Sequence, residues 1–360
     1  MLSGNRGEWS EIYVLLRLLA DGKVYAADGE LNKLENIYFP IIKIIREETK
    51  GEIKEYSTGD VIQIYINGKQ VKEVGRIDFD KESEVLLEEI RKSKGASFSI
   101  EKTQAFMDKI LCYKLSAPAP DKSDITMKIV DINTGYSPVV GFSIKSELGS
   151  APTLLNAGKT TNFIYRIVHD CSYLLQEANE IYKVAGGRQH TDIRGRIEKI
   201  NRENGHLRYH SMENRTFSDN LILIDSSMDK ILAETLLYFY RDGINHCREM
   251  VQKLELENPM NYGNVNAYKY KFKKFLTAVA LGMKPATVWD GIDEATGGYI
   301  VVTNEGNVLA YHIYNRNYFE EYLLNNTKYE TASTSRHDFG TVYRENGEDF
   351  IKLNLQVRFK

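Results

Sequence analysis

The stretch SDITMKIVDINTGYSPVVGFSIK, residues 123–145, decides how this chain is read. Apolar and polar residues alternate from Asp124 to Val130. A turn rich in Asn133, Thr134, Gly135, Ser137 and Pro138 follows, and a second apolar run leads from Val139 to Lys145. Alternating runs around such a turn predict a β-hairpin. Pairing centred on the turn sets Asp124 roughly opposite Lys145, with their Cβ atoms about 5 Å apart on one face. Ser143, two residues before the lysine, shares that face.

An acid at a strand start beside a lysine on the next strand is a pattern that holds Mg²⁺ and activates water against a phosphodiester. A plain structural role fits the same residues, because an aspartate entering a strand also satisfies turn backbone and a strand lysine also faces solvent. Asp131 lies near the turn on the opposite face and reads as structural.

Outward from the hairpin, GEWSEIYVLLRLLAD (7–21) predicts a helix closed by Gly22. At 100° per residue, Ser10, Arg17 and Asp21 mark its polar face, whereas Glu8 and Glu11 fall within the arc of Ile12, Leu15, Leu16, Leu18 and Leu19. A carboxylate on a core-facing stripe is costly without a cation or metal. First-turn acids also suit the helix dipole. Extended segments are expected at 24–26 and 38–45, and a β-meander over 51–75 turning at Asn67-Gly68. Helices follow at 80–94 and 101–112, then the Pro-rich approach SAPAPDKSD. Beyond the hairpin, a strand is expected near 162–168, and helices at 172–183, 191–203, 227–252 and 265–282. Further strands are expected at 206–211, 299–303, 308–313, 341–345 and 349–358. Such mixing predicts an α/β fold with a central mixed sheet. The best boundary is PMNYGNVN (259–266), giving a core over 1–260 with an inserted meander and helix at 37–100, and a C-terminal lobe over 261–360.

The chain has 360 residues, 42% hydrophobic and 27% charged, the balance of a globular protein. It lacks an apolar run of 18 residues and a basic-then-apolar N-terminus, so neither membrane spanning nor secretion is expected. Cys112, Cys171 and Cys247 fit no disulfide or zinc pattern, which suits a reducing cytoplasm. The net charge of −3 is neutral on nucleic-acid binding, since 47 basic residues can still line one groove. There is no P-loop, nucleotide-binding glycine pattern or serine-hydrolase elbow.

The segments SGNRGEWSE (3–11) and GFSIKSELGSAPTLLNAGKTTNF (141–163), with the hairpin between them, resemble the HpaII family of type II restriction endonucleases over most of the chain. The resemblance implies a PD-(D/E)XK nuclease core, with the family's Asp on Asp124 and its Lys on Lys145. Ser143 stands where that superfamily usually has Glu or Asp. A displaced acid on a GxxxE-like helix is implied at Glu11, with Glu8 as the fallback. The implied function is Mg²⁺-dependent cleavage of both strands of a short, CCGG-like site in double-stranded DNA, with Asp124 and Glu11 as metal ligands. A homodimer and a cognate methyltransferase go with it. A catalytically inactive protein, or a structure-specific repair nuclease on the same core, is the competing reading.

For contact with DNA, the polar stretch after the lysine offers Asn156, Lys159, Thr161 and Asn162. The loop Gly186-Gly187-Arg188-Gln189-His190 offers Arg188, Gln189 and His190, which are major-groove readers. Arg336 in Ser333–His337 is a similar candidate. In each case a solvated loop is the bland alternative. The interleaved lysines of YKYKFKKF (268–275) predict aromatics packed inward, with lysines facing solvent or phosphate.

Overall fold

A computed structural model describes residues 1–117, 123–132, 135–169, 174–312 and 315–360. The expected Pro-rich approach, the tip of the hairpin turn and Cys171 fall wholly or partly outside these residues. The chain divides into two compact units, Met1–Pro152 with Asp293–Tyr322, and Thr153–Ile292 with Leu323–Lys360. The units interleave in sequence, with borders after Pro152, Ile292 and Tyr322.

In the first unit, helix α1 (Arg6–Asp21) starts where the Asn5 side chain accepts the Glu8 amide and the Glu8 carboxylate accepts the Asn5 amide, a capping box. It ends at Gly22, which adopts φ 67°. Ten of its residues are buried, from Trp9 to Ala20, so it is a core helix covered on nearly all sides. Ser10, expected on the polar face, is among them. The remaining elements are β1 (Lys23–Ala27), β2 (Lys33–Thr49), β3 (Glu52–Ser57), β4 (Val61–Ile66), β5 (Lys69–Gly75), α2 (Arg76–Lys92), α3 (Glu101–Lys109), β6 (Ile125–Ile129), β7 (Val139–Ser146), β8 (Gly298–Val302) and β9 (Val308–His312).

These strands form one mixed sheet in the order β1-β9-β8-β7-β6-β2-β3-β4-β5. The β7–β8 and β1–β9 pairs are parallel and the rest antiparallel. Strand β2 is long enough to serve two neighbours. Its Tyr38–Pro40 pairs with β1 while Ile41–Ile45 pairs with β6, closing six strands into a ring. The meander β3–β5 extends from that ring, turning at Asn67 and Gly68, both at positive φ. The mixed α/β character is therefore as expected, and the ring closure was not foreseen.

The second unit holds a four-stranded sheet ordered His206–Met212, Asn162–Val168, Glu348–Asn354, Val342–Glu345, and a three-stranded one from Thr153–Leu155, Val357–Phe359 and Thr327–Tyr329. Its helices include Ile193–Arg202, Arg215–Ile224, Met228–Leu237, Cys247–Glu257 and Asn266–Leu281. The helix expected over 172–183 stops at Asn179, and Tyr182–Ala185 pairs instead with Arg188–Thr191 as a separate hairpin. The helix expected over 227–252 breaks into two around a wide turn at Tyr238–Asp242 that ends on Gly243 (φ 76°). Helix Arg215–Ile224 was not anticipated.

Candidate active site

The hairpin pairs Ile125 with Phe142, two residues earlier on β7 than a turn-centred register predicts. Hydrogen bonds from the Asp131 amide to the Tyr136 carbonyl and from the Gly135 amide to the Asp131 carbonyl set the turn. An offset of two preserves the faces. Asp124 thus leaves the ladder beside Phe142–Ile144, with Lys145 on a diagonal. Its amide donates to the Phe142 carbonyl at 2.8 Å, and its Oδ2 accepts the Ile144 amide at 2.7 Å. The carboxylate fills the place of the next strand residue and is fixed by backbone. Gly141 makes this entry possible, since a Cβ there would lie 2.6 Å from Ser123 Cβ.

Asp124 and Lys145 line a cleft of about 830 Å³ together with Asn5, Arg6, Glu11 and Ser146. Glu11 arrives from α1, about one helical turn past Glu8 of the capping box. Glu8 is spent on that cap, so of the two acids only Glu11 faces the cleft. Helix and strand are joined by Ser10, whose Oγ donates to the Arg6 carbonyl and contacts Ser146 Oγ at 2.8 Å. Arg6 holds the cleft's rim through the Leu148 carbonyl at 3.1 Å and the Ser93 carbonyl at 2.7 Å.

Burial is the largest influence on each of the three ionisable groups Glu11, Asp124 and Lys145. Burial, and then the charge of Asp124, push the Glu11 carboxyl up to about 7, against a hydrogen bond with Ser116 and the nearby Arg46 cation. Burial also raises Asp124, opposed by the Ile144 amide and by Lys145. Burial lowers Lys145, opposed by Asp124 and then Glu11. The lysine ammonium lies 5.1 Å from the Tyr299 ring centre on the neighbouring β8. The repulsion between the two carboxylates is one that a small cation held by both would relieve.

The donors on offer are carboxylate oxygens without thiolate or imidazole, which suits a hard cation such as Mg²⁺. Among the described residues no three His, Cys, Asp or Glu side chains gather tightly enough to cage a metal. Two carboxylates with open positions left for water and phosphate is the manner in which Mg²⁺ is commonly held.

Ser143 is buried (6% exposed) and does not line the cleft, so it adds no group to the cleft surface. Ser116, Arg46 and Tyr299 were missed by sequence reading. Each reaches the site through contacts distant in sequence, and no local motif marks them.

A comparison with family models matches residues 5–359 to the HpaII restriction endonuclease family. The type II restriction enzyme HpaII of Haemophilus parainfluenzae is 43% identical over 364 residues, covering 99% of this chain and 98% of that one. The chain belongs to the HpaII restriction endonuclease family. It is a type II site-specific deoxyribonuclease acting on DNA. No solved structure matches it. No helix among the described residues of this HpaII-family enzyme is long and apolar enough to cross a membrane.

The expected DNA contacts are all in the second unit and fare differently. Thr161 and Asn162 are fully buried and serve the fold. The Asn162 amide group donates to Glu213 Oε2 at 2.7 Å, and Asn354 Nδ2 donates to Asn162 Oδ1 at 2.7 Å and Thr161 Oγ1 at 3.1 Å. A surface role expected of that stretch is left to Asn156 and Lys159, which are exposed. Arg188, Gln189 and His190 are exposed on the hairpin Tyr182–Thr191, and Arg336 is exposed on a short helix capped by Ser333. In 268–275, Tyr268, Phe272 and Phe275 are buried while Lys271 pairs with Asp225.

Proposed function

We propose that this family member is a Mg²⁺-dependent nuclease of PD-(D/E)XK type that hydrolyses both strands of a short duplex site, with its second acid supplied by α1. The observation that carries this reading is the placement of Glu11 in the cleft with Asp124 and Lys145, where each of the two acids is raised by burial.

Asp124 and Glu11 would hold the ion, which supplies Lewis-acid chemistry that draws charge off a phosphodiester and acidifies water. The Ile144 amide keeps Asp124 oriented, and Ser116 does the same for Glu11. Lys145, whose charge burial disfavours and both acids favour, orients the attacking water and stabilises charge that develops on the phosphate. Arg6 and Asn5 fix the mouth through which the backbone of DNA enters. In-line attack expels the 3′ oxygen and leaves a 5′-phosphate.

Family resemblance supports a CCGG-like site. A palindrome of that kind suits a two-fold homodimer, and a methyltransferase in the same cell would protect it. The exposed candidates Asn156, Lys159, Arg188, Gln189, His190 and Arg336 are available for DNA. The test is digestion of unmethylated phage DNA in Mg²⁺ or EDTA, followed by sequencing of the ends, beside Asp124→Ala. Discrete fragments ending at one motif, absent in EDTA and in the variant, are expected. Tight binding without cutting in either metal condition would make Ser143 the mark of an inactive core.

A further inference from the structure

The hairpin Tyr182–Ala185/Arg188–Thr191 stands apart from both sheets of its unit. Its turn, Gly186-Gly187, has both residues at positive φ (57° and 73°), as a two-residue type I′ turn requires. Residues 182–190 are exposed on both faces of the ribbon, including Val184 at 78%. A lone two-stranded ribbon is marginal in water. Its root, by contrast, is firmly built. Buried Arg196 donates to the carbonyls of Asn179 (2.8 Å), Ile181 (3.3 Å) and Gly340 (2.7 Å), and Asp192 caps the helix that follows. A bare ribbon on a rigid root is shaped to be covered by something else.

The register sorts the side chains into two faces. Lys183 pairs with His190 and Ala185 with Arg188, so these four share one face. Tyr182, Val184, Gln189 and Thr191 share the other. That second face is engaged at its root, where Tyr182 stacks near the Arg196 guanidinium and Thr191 contacts Thr334. The first face concentrates the cations, with small Ala185 allowing close approach.

We infer that this ribbon enters the major groove of the DNA substrate with the Lys183–Ala185–Arg188–His190 face toward the base edges, and that Arg188 reads a guanine. The inference rests on the nuclease reading above and names the element that confers its specificity. Two strands about 4.8 Å apart form a ribbon narrow enough for the major groove, which is about 12 Å wide and admits a two-stranded ribbon. Arg188 sits beside the turn, at the deepest point of insertion, and its fork matches guanine O6 and N7. Lys183 and His190, nearer the root, fall at the height of the phosphates.

The test compares cleavage of one mapped duplex by wild type, Arg188→Ala, Arg188→Lys and Val184→Ala, with each site guanine replaced in turn by 7-deazaguanine, which lacks N7. Arg188→Ala is expected to lose roughly tenfold to a hundredfold in kcat/KM, the worth of one bidentate base contact. Lysine should restore little of it. One deaza position should slow wild type yet cost Arg188→Ala nothing further. Val184→Ala should cut within about threefold of wild type, and all variants should melt alike because the side chains are exposed. Wild-type rates for Arg188→Ala, full rescue by lysine, or equal deaza losses in both proteins would overturn the inference while leaving the nuclease reading intact. A wild type that cuts no duplex would remove both.

Discussion

Replacing Glu11 by Gln should stabilise the metal-free protein while disabling it. The Glu11 carboxyl rises from 4.5 to about 7 on folding. The folded chain therefore holds that proton more tightly than the unfolded one. The stability this confers is fully present below pH 4.5 and lost as pH rises through 7. A shift of that size corresponds to about 3 kcal/mol at pH 8. Glu11 lines an open cleft, and water relaxing its charge there reduces the effect to about 2 kcal/mol. Glutamine keeps the shape and the capacity to bond Ser116 but carries no charge. The variant should exceed wild type by about 2 kcal/mol at pH 8 in EDTA, and by under about 1 kcal/mol at pH 5. The assay is urea unfolding at pH 5, 6, 7 and 8, read by fluorescence of Trp9, which is buried on the same helix. Trp289→Phe leaves Trp9 as the only tryptophan. A variant no more stable than wild type at pH 8, or a gap that does not shrink toward pH 5, would refute the reasoning.

Three further outcomes follow from the geometry. Lys145→Ala should slow single-turnover cleavage on the order of 10²–10³-fold while gel-shift affinity in Ca²⁺ stays within a few-fold. Gly141→Ala pushes a Cβ against Ser123 and so shifts Asp124. It should cost roughly tenfold to a hundredfold in kcat with little change in KM, as misplacement of a reacting group does. Lys54→Met strands Glu48, both nearly inaccessible and joined at 2.9 Å. Glu48 keeps Arg46 at 3.1 Å and the Tyr113 amide at 2.9 Å, so the loss in urea unfolding should be about 3 kcal/mol rather than more.

What could be read in the sequence was what neighbours in sequence determine. Alternation and turn chemistry located the hairpin, and a shift of two in its register left Asp124 and Lys145 on the same cleft because side chains repeat every two residues. Helical periodicity put Glu11 among apolar residues, where the fold half-buries it. The same periodicity misplaced Ser10, because its partner Ser146 lies 136 residues away. Thr161 and Asn162 look like a polar loop until Asn354 closes over them from the far end of the chain. The ring depends on the parallel pairing of β1 with β9, across nearly the whole sequence, which no local pattern encodes. Gly186-Gly187 is a hairpin signal, but the strands beside it are only four residues long and exposed on both faces, too short for alternation to stand out.

The most direct measurement is the single-turnover rate of duplex cleavage in Mg²⁺ for Glu11→Gln beside Glu8→Gln. The two acids lie three residues apart on α1, one in the cleft and the other on the helix cap. Glu11→Gln should fall on the order of 10³-fold, as loss of a metal-holding carboxylate implies. Glu8→Gln should stay within about threefold, losing only part of a capping box. Rapid cleavage by Glu11→Gln, or loss confined to Glu8→Gln, would contradict the assignment of the displaced acid.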